Sequence, residues 1–364
     1  MTTMMSIKDL HVKFATPFGL LEAVRGASLD IPAGMSVGVV GESGSGKTVM
    51  CRASMGLLSG SNVQREGTVV FDGKELTAMT RDQVRNEFGT GMAMIFQDPM
   101  TALNPVRRIG TQISESLRVR LGMDKKAAMA RSAELLSFVR IPDPEAMLKK
   151  FPYQLSGGMR QRVMIAIAIS CNPKLLFADE PTTALDVTVQ AQILQLLSDL
   201  RRDLKMSMVL ITHDLGVVAN MADRVAVMYA GKIVEYGTLY EIFYDAKHPY
   251  TWALLSSAPD LDTKDRLTSI PGTPPDMLFP PKGDAFADRN QHALKIDFEE
   301  HPPFFKVSDT HYAATWLLHP DAPKVPMPKV LAERIARFNE SQRLAAANGS
   351  NDTNPMPEMT GESK

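Results

Sequence analysis

The chain has 364 residues, 44% hydrophobic and 22% charged, which fits a globular protein with room for one large domain and a smaller one. Its 40 Lys and Arg offset 41 Asp and Glu to a formal net charge of -1, so no global basic field argues for nucleic acid as a partner. The two cysteines, Cys51 and Cys171, lie in apolar helical patterns without metal-like spacing, and neither a signal-peptide pattern nor an apolar run of membrane-spanning length occurs. A cytoplasmic protein that meets a membrane only through another protein is expected.

Residues 7–14 and 24–31 alternate apolar and polar positions and predict two strands, an antiparallel β edge beside a nucleotide core. Phe14 in the first strand and Phe18 in the loop after it are each placed either to stack on an adenine ring or to pack in the core. An apolar run, residues 37–40, leads into residues 41–48 (GESGSGKT), and a helical pattern leaves them. That is the strand, loop and helix order of the phosphate loop G-x-x-x-x-G-K-[ST]. Gly41, Gly44 and Gly46 let the backbone curl so that successive N–H groups, from Glu42 and Ser43 through Ser45 to Val49, face anionic oxygens at a helix N-terminus. Lys47 then reaches the β- and γ-phosphates, and Thr48 offers a hydroxyl to Mg²⁺.

Residues 68–71 with Asp72-Gly73 read as a strand and turn, and residues 92–96 (MAMIF) as a short strand ending at Gln97. Helical periodicity over residues 106–150 predicts an inserted helical region. Residues 155–162 (LSGGMRQR) open a helix capped by Ser156, with Gly157 and Gly158 in its first turn as a second anion site. The apolar strand 175–178 closes on Asp179-Glu180-Pro181, residues 190–204 form an amphipathic helix, and the buried strand 208–212 ends on His213. This alternation predicts an α/β fold with a mostly parallel, helix-covered sheet. Residues 225–228 and 232–236 read as a hairpin. Near residue 259 a proline-rich texture marks a domain boundary; after about Asn339 the chain turns small and polar, and residues 348–364 are expected to be disordered.

Asp179, at a strand end, supplies a second Mg²⁺ anchor, and Glu180, one residue on, is placed to polarise a water in line with the γ-phosphate. His213 as a neutral imidazole can hydrogen-bond the γ-phosphate or that water, and the Gln97 amide can reach both metal and water. Over roughly the first 255 residues this constellation resembles the ATP-binding cassette family of P-loop NTPases. In its terms the chain carries a Walker A at 41–48, a Q-loop at Gln97, a signature at 155–159 (LSGGM), a Walker B ending at Asp179, a catalytic acid Glu180, a D-loop at 183–186 and a switch histidine His213. Val49 stands where many relatives have Ser or Thr, but the backbone N–H is retained. The resemblance implies ATP and Mg²⁺ as cofactors. It also implies head-to-tail pairing, so that Ser156, Gly157 and Gly158 act on the partner's nucleotide. Phe18 falls nearest the adenine-stacking position, with Phe14 as the alternative.

Residues 96–105 (FQDPMTALNP), His248-Pro249-Tyr250 and 270–283 (IPGTPPDMLFPPKG) narrow the resemblance to the ATPase subunits of bacterial oligopeptide and dipeptide importers. It implies a nucleotide-binding domain at 1–258 with a helical subdomain at about 106–170, the importers' C-terminal extension at 259–330, and a helical then disordered tail at 331–364. It further implies a second ATPase subunit and two permease subunits as partners, indirectly an extracellular peptide-binding protein, and a peripheral place on the cytoplasmic face of the plasma membrane. Dipeptide, nickel or glycoside cargo remains open. A translation, repair or chromosome ATPase fits less well, because the chain shows no second cassette, sustained heptads or cysteine clusters. Many relatives hold an iron–sulfur cluster through four cysteines of the extension. Here Asp284, Asn290, Asp297 and Thr315 occupy those positions, so no such cluster is expected. A hydrogen-bonded cluster or a hard-cation site can replace it.

Overall fold

Two sheets organise the computed structural model, which describes residues 2–183, 185–257 and 270–347. The hairpin of β1 (Thr3–Thr16) and β2 (Gly19–Pro32) leads into β3 (Ser36–Val40) and α1 (Lys47–Ser54). β4 (Val63–Phe71) then pairs antiparallel with β1, and β5 (Lys74–Glu75) turns back on it through Asp72-Gly73, both in the left-handed region that such a two-residue turn demands. The antiparallel part expected beside the core is thus a sheet of its own, in the order β2-β1-β4-β5. Its inner positions Met5, Ile7, Leu10 and Val12 share one core with Val37 and Val39 of β3 and Met50 of α1. Alternation along β1 and β4 gives the sheet one apolar face, and that face is buried against the phosphate-loop unit.

The chain continues through α2 (Arg81–Glu87), β6 (Met92–Ile95) and α3 (Pro99–Ala102). The helical insert follows as α4 (Ile109–Leu121), α5 (Lys125–Phe138) and α6 (Pro144–Met147), over the stretch where periodicity predicts helix. Next come α7 (Gly157–Ile169), β7 (Leu175–Asp179), α8 (Val187–Leu204), β8 (Ser207–Thr212) and α9 (Leu215–Met221). β9 (Arg224–Tyr229) and β10 (Lys232–Thr238) make the predicted hairpin, before α10 (Leu239–Tyr244) and α11 (Pro249–Ser257). Strands β9, β3, β8, β7 and β6 run parallel in that order, and every residue of β3, β7 and β8 is buried, as continuous apolar runs require in a sheet covered on both faces. Ile109, Ile113, Leu117 and Leu135 of the insert pack with Leu176 and Ala178 of β7 in a second core.

The proline-rich segment is not a free linker. Met277 O accepts the Glu22 N–H at 3.0 Å and Pro281 O accepts Arg25 Nη2 at 2.8 Å. Further on, β12 (Tyr312–Ala313) pairs antiparallel with β10 and β11 (Phe305–Lys306) with β12, extending the large sheet, and Phe286 joins Tyr229, Tyr250 and Trp252 in a third core. Gly283 is required where it stands: a Cβ there would lie 2.0 Å from Asp297 O. Asp284, Asn290, Asp297 and Thr315 are all buried. Each accepts a local N–H, from Phe286 (3.0 Å), His292 (2.9 Å), Leu294 (2.6 Å) and Leu317 (3.3 Å) respectively. Among the described residues no group of three or more His, Cys, Asp or Glu is arranged to hold a metal. The last helix, α12 (Lys329–Ala347), continues past Asn339. The boundary near residue 259 and the tail 348–364 lie outside the described residues.

Candidate active site

The phosphate loop joins the C-terminal end of β3 to the N-terminus of α1, where a doubly wound sheet presents its ligand-binding edge. Two glycines are fixed there by close approach. A Cβ on Gly41 would lie 2.1 Å from Met228 O, and one on Gly46, at φ 98°, would lie 2.4 Å from Ala23 O. Lys47 Nζ donates to Gly41 O (2.7 Å), Glu42 O (2.8 Å) and Ser45 Oγ (3.3 Å), so the ammonium is held inside the loop. Burial lowers its affinity for the proton, against the charges of Glu180, Asp179 and Glu42. A phosphate, with several charged oxygens, can replace all three of those acceptors.

Thr48 Oγ1 donates to Asp179 Oδ1 at 2.7 Å, and Arg52 Nη2 lies 3.4 Å from Asp179 Oδ2. Asp179 is fully buried at the end of β7, and burial raises its carboxyl above the usual range while the Thr48 hydroxyl and Arg52 pull it back. A hydroxyl beside a buried carboxylate is a hard-oxygen donor set, the kind a small divalent cation takes. Glu180 follows in a left-handed backbone conformation, φ 44°, its N–H bonded to Ile211 O of β8 at 2.8 Å. A non-glycine residue held there by a neighbouring strand is strained in a way common at functional sites. Its carboxylate accepts from Gln97 Nε2 (2.8 Å) and Thr183 Oγ1 (2.9 Å), and His213 Nδ1 lies 3.2 Å from Oε1. Three strands, β6, β7 and β8, thus deliver Gln97, Asp179-Glu180 and His213 to one edge. Gln97, Glu180 and His213 line an open cleft of about 450 Å³ together with Gly41, Glu42, Ser43, Leu254, Ser257 and Ile270, while Asp179 is buried beneath it.

Gln97 and His213, expected to face phosphate, metal and water, are thus brought onto the acid itself. Ser156 caps α7 by accepting the Met159 N–H at 3.4 Å, but neither it nor Gly157 or Gly158 lines the cleft. Val49, the last of the loop positions, is half-buried in α1 against the first core. Phe18 is 82% exposed on the β1–β2 turn, while Phe14 packs against the core, so of the two aromatic candidates Phe18 has the free ring. Leu254, Ser257, Ile270 and Thr183 were not singled out by sequence reasoning. Thr183 sits in the D-loop stretch, but the first three belong to α11 and the extension, and no local pattern ties them to a site far earlier in the chain.

Comparison with known proteins agrees with this geometry. Residues 24–183 match the family described as ABC transporter, and residues 234–296 match the oligopeptide/dipeptide transporter C-terminal region, whose start overlaps β10. The oligopeptide transport ATP-binding protein OppD of Bacillus subtilis (strain 168) is 53% identical over 340 residues, covering 93% of this chain and 95% of that protein. The dipeptide transport ATP-binding protein DppD of Lactococcus lactis subsp. cremoris is 54% identical over 339 residues, covering 92% and 97%. A solved dimeric post-hydrolysis state of the ATP-binding cassette MJ0796 bound to ADP and Pi superposes with a TM-score of 0.59 at 26% identity, over 65% of this chain and 99% of that one. With curated relatives this similar over nearly its whole length, the chain belongs to the ATP-hydrolysing, ATP-binding cassette subunits of the oligopeptide and dipeptide transport type.

Proposed function

We propose that the chain energises import of oligopeptides across the bacterial plasma membrane by binding and hydrolysing ATP at the loop 41–48. The observation that carries this reading is the Glu180 carboxylate, gripped by Gln97, Thr183 and His213 one residue beyond the Asp179–Thr48 pair. Lys47 and the loop amides from Glu42 to Val49 bind the phosphates, and Phe18 stacks on the adenine. Thr48, Asp179 and Gln97 would hold Mg²⁺, which would supply charge neutralisation to the phosphates when bound. Glu180 accepts a proton from the attacking water, with Gln97 and His213 keeping its carboxylate aimed. Gln161 of α7 donates to Pro181 O at 2.6 Å, so the helix that opens at Ser156 also fixes the turn after the acid.

In this reading two cassettes pair head to tail, and the Ser156, Gly157 and Gly158 of each act on the other's nucleotide. The nucleotide-binding domain spans 1–258, the extension 259–330 and the tail 331–364. The pair docks peripherally on two permease subunits at the cytoplasmic face, fed by an extracellular peptide-binding protein. No helix among the described residues is long and apolar enough to cross a membrane, which accords with that division of labour. Glu180→Gln keeps the shape and loses the base. Steady-state phosphate release from the assembled transporter is expected to fall by about 10²-fold or more while ATP binding persists. Turnover near wild type would remove Glu180 from this role.

A further inference from the structure

The phosphate loop is held from behind by the C-terminal extension, and one side chain makes that hold. Arg289 is almost fully buried; its Nη1 donates to Glu42 Oε2 at 2.6 Å and its Nη2 to Glu42 Oε1 at 2.9 Å. This is the two-pronged geometry in which a planar guanidinium matches a carboxylate. Nη1 also donates to Tyr229 Oη at 3.0 Å, and Nε to Pro271 O at 2.7 Å. The guanidinium carbon lies 5.7 Å from the ring centres of both Tyr229 and Phe286. On the other side, Tyr250 Oη accepts the Glu42 N–H at 2.8 Å and Lys47 Nζ donates to Glu42 O at 2.8 Å. Glu42 is therefore tied at its amide, its carbonyl and both carboxylate oxygens.

The rest of the loop shows why that matters. Its start is pinned at Gly41 against Met228 O, and its end at Ser45, whose carbonyl accepts the Gly231 N–H at 3.0 Å. Between those pins Gly44 has, among the described residues, nothing within 4 Å of where a Cβ would stand. Placement of the intervening amides thus depends on Glu42. Charge matters as well as shape. An unpaired Glu42 carboxylate in the loop would repel the phosphates that Lys47 and the amides attract, and Arg289 cancels it. We propose that Arg289 is a positioning residue for the phosphate loop: by fixing and neutralising Glu42 it sets the loop's affinity for nucleotide, which makes the extension a working part of the ATP site. The inference rests on the reading of residues 41–48 as that site.

The test is MgADP binding to the full chain by titration calorimetry, joined to kcat and KM for ATP. Arg289→Met retains the apolar contact with Tyr229 and Phe286 but removes fork and charge. It is expected to weaken MgADP binding by about 10-fold to 10²-fold and to raise KM with little change in kcat, the signature of lost ground-state positioning. Arg289→Lys keeps the charge without the fork and is expected to fall between the two. If Arg289→Met does not fold, the lysine variant decides alone, since an unchanged affinity in it overturns the proposal. In the double variant Glu42→Gln with Arg289→Met, part of the lost affinity is expected to return, because no unpaired carboxylate remains. Arg25→Met cuts another anchor of the extension, the one to Pro281 O, without touching Glu42, and is expected to leave MgADP affinity unchanged. Equal losses in the Arg25 and Arg289 variants, or none in Arg289→Met, would overturn the proposal and leave the nucleotide-site reading intact. Failure of the wild-type chain to bind MgADP would overturn both.

Discussion

At Asp284 a carboxylate sits where burial penalises its charge. Burial, with the charge of Asp297 adding to it, raises this carboxyl from 3.8 to about 6. Between those values the folded chain keeps a proton that the unfolded chain releases, so stability falls as pH rises from about 4 to about 6 and stays lower above that. Asp284→Asn removes the charge and retains the oxygen that accepts the Phe286 N–H. A stability gain of up to about 3 kcal/mol is expected at pH 7.5, shrinking towards zero at pH 4, read from thermal unfolding at the two values. A gain of the same size at both, or a loss at pH 7.5, would contradict this account. The sequence shows an Asp at 284 as one more acid, and its proton affinity depends on burial and on Asp297, 13 positions on, which no local pattern reveals.

The packing of α7 on α8 turns on Gly158, one of two adjacent glycines that look alike in sequence and differ in surroundings. A Cβ on Gly158 would stand 2.7 Å from Val189 Cγ1. Valine is stiff at χ1 and cannot swing clear, so Gly158→Ala is expected to destabilise by about 1–3 kcal/mol. Val189→Ala opens the space, and the double variant is expected to be more stable than the sum of the single effects allows; strict additivity in urea unfolding would refute the contact. The elements themselves were largely legible: the phosphate loop between strand and helix, the Ser156 cap, the apolar runs of β7 and β8, and the Asp72-Gly73 turn are local patterns of short period. The separate β1–β2–β4–β5 sheet was not, because alternation fixes which face of a strand is apolar and leaves open which sheet it joins. Nor were the contacts of Arg289 with Glu42 or Pro281 with Arg25, which join residues more than 200 positions apart with no local signature.

At the scale of the whole molecule, the two glycine-rich helix starts stand in different surroundings. The loop that leads into α1 meets Glu180, His213 and Gln97 across one cleft through Gly41, Glu42 and Ser43, and the start of α7 is absent from that cleft. Among the described residues a Cβ on Gly157 would meet only Leu185 Cδ2, at 3.7 Å, an ordinary contact. The chain's own fold therefore does not need glycine there, unlike at Gly158. If a second cassette brings its phosphates against this helix start, the extra methyl group would stand between those oxygens and the α7 amides. Gly157→Ala is accordingly expected to shift the chain's unfolding by no more than about 0.5 kcal/mol and to leave MgADP binding by the single chain unchanged. Phosphate release from the assembled transporter is expected to drop by about tenfold or more, because the donors to the partner's γ-phosphate are displaced. Stability lost in step with activity would assign Gly157 to the fold, and full activity in the assembled transporter would mean that no partner nucleotide approaches this surface.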